Sequence, residues 1–174
     1  MTVDPSNLRI LNYPHPALRR RAKPVESITD EVKAVAERML ELMHEAPGVG
    51  LAAPQVGLSW RLFVANSGEE GDVDRVYINP ALSQPEGPLE SLEEGCLSLP
   101  DIRGEVRRPV AITIEATDLN GDRFEMRDDG LLARVWQHEF DHLDGTLIFD
   151  RFSQLTKLAT RRQIRDLERL AAAR

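Results

Sequence analysis

Residues 138–142 read His138-Glu139-Phe140-Asp141-His142. Two histidines spaced this way on a helix project from one face, stacked a turn apart. That spacing suits two imidazoles holding one metal ion, with the glutamate beside the first able to reach water at that ion. A tetrahedral catalytic site needs a third protein ligand and an open fourth position. The candidate is Cys96, the one cysteine of the chain, within Glu94-Gly95-Cys96-Leu97-Ser98. The chemistry would then be hydrolytic, at a site of two histidines and one cysteinate. A thiolate offsets one of the cation's charges and softens the site, which favours Fe(II), Zn(II), Ni(II) or Co(II) over Mg(II) or Ca(II).

Bland alternatives exist for each part. A short motif can arise by chance on a surface helix, and a lone cysteine is most often a small buried hydrophobe. The pattern around the histidines weighs against chance. Leu131, Leu132, Val135, Phe140 and Leu143 put apolar residues on most sides of that helix, so it is read as buried. Burying His138, Glu139, Asp141 and His142 is costly unless they are paired or bind metal. Asp141 would need a cationic partner, for which Arg107 and Arg108 are the candidates. His15 and His44 read as ordinary surface or helix-end residues. A third segment, Gly48-Val49-Gly50-Leu51-Ala52-Ala53-Pro54-Gln55, is either a flexible connector or a loop of small residues that lets backbone groups approach a ligand closely, with Gln55 as an amide donor.

The elements that must position these residues can be read in outline. Val32, Val35, Ala36, Met39, Leu40, Leu42 and Met43 fall at helical spacing between about Thr29 and His44, and Pro47-Gly48 stops that helix. Residues 12–24 read as an irregular arm with one short turn, and 48–58 as a loop. Arg61–Asn66 and Arg75–Ile78 read as strands, the second ended by Asn79-Pro80. Pro85–Pro88 reads as a loop and Leu97–Pro100 as an extended continuation of the cysteine segment. Val110–Ala116 alternates as a strand, Asn120-Gly121 signals a hairpin, and Arg123–Arg127 returns. Gly130 precedes the motif helix, about 131–143, which Asp144-Gly145 closes. A last helix spans about 153–172, with Leu155, Leu158, Ala159, Ile164, Leu167 and Leu170 as its apolar stripe. The expected class is α+β: mainly antiparallel sheet around a central buried helix carrying H-E-x-x-H, with an N-terminal and a C-terminal helix.

The 174 residues suit one domain, 1–174. A net charge of −7 argues against a general nucleic-acid binder and gives no reason to expect specific DNA binding. No apolar run approaches a membrane span, and the first 15 residues hold Asp4, Pro5 and Asn7 without a signal-like stretch. A single cysteine makes no internal disulfide, so a cytoplasmic location is expected.

The segments G-V-G-L-A-A-P-Q, E-G-C-L-S and H-E-F-D-H, in that order, resemble the three motifs of the peptide deformylases. Pro16–Val25, Ile78-Asn79-Pro80 and Gly130–Ala133 also match that family's pattern, so the resemblance covers nearly the whole chain. It implies removal of the formyl group from N-formylmethionine at the start of nascent bacterial or organellar proteins. Carried over, it makes Cys96, His138 and His142 the ligands of one divalent metal, with Fe(II) the native ion and Zn(II), Ni(II) or Co(II) as alternatives. Glu139 becomes the general acid/base, and Gln55 and the Leu97 N–H become oxyanion donors. Gly50 would hydrogen-bond the substrate backbone, and Val49, Leu131, Val135 and His138 would line the methionine pocket. Arg103 falls at the pocket mouth. Arg134 departs from the aliphatic residue that some members carry, its stem expected over the pocket and its charge in solvent. With no transit-like extension visible, the resemblance points to a bacterial enzyme.

The rival reading is a zinc endopeptidase, which commonly takes a downstream glutamate or histidine as third ligand. After His142 the chain offers only Glu168 for that role. The last helix has its own option. From Lys157 to Arg174 six basic residues face two acidic ones, which suits either a solvated face or contact with ribosomal RNA.

Overall fold

The computed structural model of the chain describes residues 2–173, so Arg174 of the basic tail lies outside the described residues. Helix α1 spans Asp30–Glu45, capped by the Thr29 hydroxyl, which accepts from the Val32 N–H at 3.3 Å. Its apolar face packs on two short strands, β1 (Gly50–Ala52) and β2 (Leu62–Ala65). Two long strands follow, β3 (Arg75–Cys96) and β4 (Leu99–Thr117), then β5 (Arg123–Asp128). The five form one antiparallel sheet in sequence order. Helix α2 (Leu131–Leu143) carries the histidine motif. A short helix α3 (Ile148–Arg151) and a long α4 (Gln154–Ala172) end the fold. This is the expected α+β class.

Helix α2 lies buried against the sheet because it presents Ala133, Val135, Trp136 and Leu143 to Phe63, Tyr77, Ile112 and Ile114. Tyr77 anchors the contact: its ring stacks on Phe63 at 4.7 Å and meets Trp136 edge-on at 6.1 Å. Aromatic contacts of this kind hold a helix in rotation as well as position. The helix stops at Gly145, whose φ of +74° lets the chain turn sharply away beneath Arg19.

Several expectations are corrected. The segment 48–58 is no simple loop: it holds β1 and a 3-10 turn, Ala53–Val56, that orients Gln55. Asn79-Pro80 does not end a strand. The register of β3 against β4 shifts between Ile78 and Ala81, so Pro80 sits in a bulge where its missing N–H is harmless. Asn79 takes a positive φ there and binds Val25 through both amide atoms, at 2.8 and 2.9 Å. Pro85–Pro88 likewise lies within β3, across two further register shifts. Leu97 and Ser98 do not extend the cysteine segment. They reverse it, so that Cys96 ends β3 and pairs with Leu99 at the start of β4.

The stripe read on the last helix also fails in part. Thr160, Ile164 and Leu167 face the protein, but Leu155, Leu158 and Leu170 are 77%, 66% and 64% exposed. At about 100° per residue, Leu155 and Leu158 fall on the side of the helix opposite Thr160, Ile164 and Leu167, so the apolar positions read together do not share one face.

Candidate metal centre

Cys96 arrives from the end of β3, and His138 and His142 from one face of α2. One ligand atom from each lies within 4.8 Å of the others. Cys96 Sγ is 3.3 Å from His142 Nε2, which is 3.2 Å from His138 Nε2. His138 Nδ1 lies 3.1 Å from Glu94 Oε2. A proton on Nδ1, donated to Glu94, leaves Nε2 as a free lone-pair donor. Burial presses the pKa of His138 down, but hydrogen bonds with Cys96 and Glu94 outweigh it and hold it well above the ordinary histidine value. Burial, then the charges of His138 and Arg108, hold His142 well below it. A thiol and two imidazoles suit a borderline transition-metal ion.

Glu139 stands beside this cluster, 4% exposed, and its Oε2 has no hydrogen-bond partner among the described residues. Burial pushes its pKa up to about 7. Gly50 backs onto it so closely that a Cβ at Gly50 would collide with the carboxylate, so β1 needs glycine there. Gln55 is held by the backbone three residues before it: its Oε1 accepts from the Ala52 N–H at 2.8 Å. Its Nε2 therefore points at Ser98 Oγ, 3.2 Å away, and toward Cys96 Sγ at 3.6 Å.

These groups open into a cavity of about 500 Å³. Val49, Gly50, Leu131 and Val135 line it, together with Leu97 and Arg103. Arg103 sits at its rim, paired with Glu93 at 2.8 Å with both side chains exposed. Ten of the eleven residues assigned site roles from the sequence line this one cavity, and the eleventh, His142, joins it through its cluster with Cys96 and His138.

Glu94 received no role from the sequence, yet it is a hub. It is 6% exposed and accepts from Arg108 at 2.7 and 3.0 Å, from Arg134 at 2.9 Å, and from His138. Burial would raise its pKa, but the bonds from His138 and Arg108 hold it down at about 2. Arg108 also donates to Asp141 at 2.9 Å, so it is the partner expected for that carboxylate, while Arg107 is exposed. Arg151 of α3 is a second donor to Asp141, one that no sequence signal marked. Arg134 is corrected: its guanidinium turns inward rather than to solvent, and its side chain is only 11% exposed. His15 and His44 stay at the surface as expected, His44 paired with Asp74 at 2.9 Å. Glu168 accepts from the Tyr13 hydroxyl at 2.9 Å and is no member of the metal-ligand cluster.

Three such donors beside a buried carboxylate, under an open cavity in an α+β fold, have the make-up of a metal-dependent hydrolase. A model of the polypeptide deformylase family matches residues 7–158. A peptide deformylase of Acinetobacter baumannii is 44% identical over 162 residues, spanning 93% of this chain and 92% of that one. A chloroplastic peptide deformylase 1B of Solanum lycopersicum is 43% identical over 148 residues, 84% of this chain and 53% of that protein. A solved plant peptide deformylase superposes with a TM-score of 0.92 at 37% identity, over 98% of this chain and 94% of that one. One from Legionella pneumophila gives 0.86 at 38%, over 96% and 98%. The chain belongs to the peptide deformylase family, hydrolases that remove the N-formyl group from nascent peptides.

The charge network makes a direct prediction. Arg108→Met leaves two buried carboxylates short of a cation. Urea unfolding of this variant is expected to show a loss of about 3 kcal/mol, the low end for a broken buried pair because Arg134 and Arg151 remain.

Proposed function

We propose that Cys96, His138 and His142 hold one divalent cation and that Glu139 works beside it as general acid/base, deformylating N-formylmethionyl peptides. The observation that carries this reading is the meeting of those three donor atoms within 4.8 Å next to a buried carboxylate. Fe(II) is the native ion in this reading, and the same donors accept Zn(II), Ni(II) or Co(II). When bound, the cation supplies a Lewis acid that acidifies water and polarises the formyl carbonyl.

The chain's own residues do the rest. Glu139 takes the proton of the attacking water on its unpartnered oxygen. As the formyl carbon becomes tetrahedral, Gln55 Nε2 and the Leu97 N–H donate to the oxygen that gains negative charge. The fixed direction of the Gln55 amide supports this role, since a donor already oriented costs no reorganisation in the transition state. Glu139 then returns its proton to the departing amine nitrogen, and formate and the free amino terminus separate. The Gly50 backbone aligns the peptide, Val49, Leu131 and Val135 enclose the methionine side chain, and Arg103 meets the substrate at the cavity mouth.

The working unit is the whole chain as one domain, in the cytoplasm where nascent chains emerge. No helix among the described residues is long and apolar enough to cross a membrane. Helix α4 adds a contact with the ribosome: Lys157 and Arg161 flank the exposed Leu155 and Leu158, and most of its other basic residues are also exposed. Specific binding to DNA forms no part of this reading.

Glu139→Gln is expected to retain its metal but lose about 10²–10⁴ in kcat on a formyl-Met peptide. Near-parental turnover would remove Glu139 from the mechanism, and cleavage of internal peptide bonds would favour the endopeptidase. For α4, co-sedimentation with ribosomes should fall steeply with salt and vanish on deleting 157–174. Undiminished binding by the truncated chain would exclude the helix.

A further inference from the structure

Arg134 stands one turn before His138 on α2, and its guanidinium spans the gap between that helix and both long strands. Its Nη1 donates to Glu94 Oε1 at 2.9 Å and to the Val106 carbonyl at 3.0 Å, and its Nη2 to the Glu90 carbonyl at 3.0 Å. One side chain therefore ties α2 to β3 and β4 together. We propose that Arg134 is a positioning residue of the metal centre, acting through Glu94 on the His138 imidazole and on the strand end that carries Cys96.

Counting acceptor sites makes the argument. A carboxylate offers about four lone-pair positions. Those of Glu94 are met by four donors: Arg108 Nε at 2.7 Å and Arg134 at 2.9 Å on Oε1, then Arg108 Nη2 at 3.0 Å and His138 Nδ1 at 3.1 Å on Oε2. Arg108 alone grips the carboxylate from the β4 side. Arg134 grips it from α2, the helix that bears the histidine, so the carboxylate cannot swing without breaking a bond to the element it must orient. Glu94 is also two residues before Cys96 on β3. The same clamp thus sets the thiol against the imidazole.

Exposed ion pairs are worth little, but this one is 11% and 6% exposed, and solvent cannot replace it cheaply. The stem of Arg134 also forms cavity wall between Leu131 and Val135. A pure wall role would change substrate affinity, and a pure staple between helix and strands would change only stability. A positioning role changes the hold on metal and the rate.

This inference rests on the ligand assignment proposed above, and the test separates the two. Zinc-loaded full-length chain is titrated with a chromophoric chelator, and kcat and KM are measured on a formyl-Met peptide, for the parent and for Arg134→Met, which keeps the stem. Arg107→Met, which removes an exposed cation from the same strand as Arg108, controls for lost charge. Arg134→Met is expected to weaken zinc binding about tenfold or more, to lower kcat, and to leave KM within about twofold, with Arg107→Met parental. Parental zinc affinity and kcat with a lowered melting temperature would reduce Arg134 to a staple and overturn the proposal. A rise in KM alone would make it cavity wall and equally overturn it. Should Arg134→Met not fold, Arg134→Gln is read by the same quantities, with parental zinc affinity the contradicting result. A parent chain that takes up no stoichiometric zinc would instead defeat the ligand assignment itself.

Discussion

A sulfur and two imidazole nitrogens are gathered within 4.8 Å of one another at the floor of a cavity, with His142 fully buried behind them. Nothing apolar would hold such donors together, and burying them is expensive unless positive charge joins them. The surroundings of the site follow from that cost. Glu94 supplies the counter-charge behind His138, Arg108 balances Glu94 against Asp141, and Arg134 and Arg151 close the network from α2 and α3. Every buried charge in it touches an opposite one, which is the condition for tolerating charge in a core.

The architecture is arranged to deliver those groups. The turn at Leu97 and Ser98 ends β3 with the thiol over the cavity, and β4 then brings Arg108 back beneath the histidine helix. The stack of Phe63, Tyr77 and Trp136 fixes the rotation of α2, so that His138, Glu139 and His142 share the face or flank turned to Cys96. Glu139 owes its raised pKa to the same burial, and Gly50 leaves it just enough room. Cys96, His138, Glu139 and His142 sit on a strand end and a helix, while Gln55 and Leu97 sit on short turns, so rigid elements carry the groups whose spacing must be held most tightly.

The sequence made the reactive residues legible because their spacing is imposed by local geometry. Histidines one turn apart with a glutamate between them stand out without tertiary knowledge, whereas Cys96 gained weight only from its Gly95-Cys96-Leu97-Ser98 setting and the resemblance of the three segments. The three longer helices, α1, α2 and α4, and the Asn120-Gly121 hairpin were readable for the same reason. The strand that runs through Asn79-Pro80 and Pro85–Pro88 was not, since proline normally ends a strand and only the bulges against β4 make it harmless. Glu94 looks like its neighbours Glu90 and Glu93. Its burial is set by α2 arriving from a distant part of the chain, as is the inward turn of Arg134. The stranded leucines of α4 show the converse: periodicity located a helix but not which of its sides the protein covers.

X-ray absorption on the zinc-loaded chain reads the donor set most directly. Coordination by Cys96, His138 and His142 predicts one sulfur at about 2.3 Å and two imidazole nitrogens at about 2.0–2.1 Å. A first shell of nitrogen and oxygen alone, with no sulfur, would contradict it.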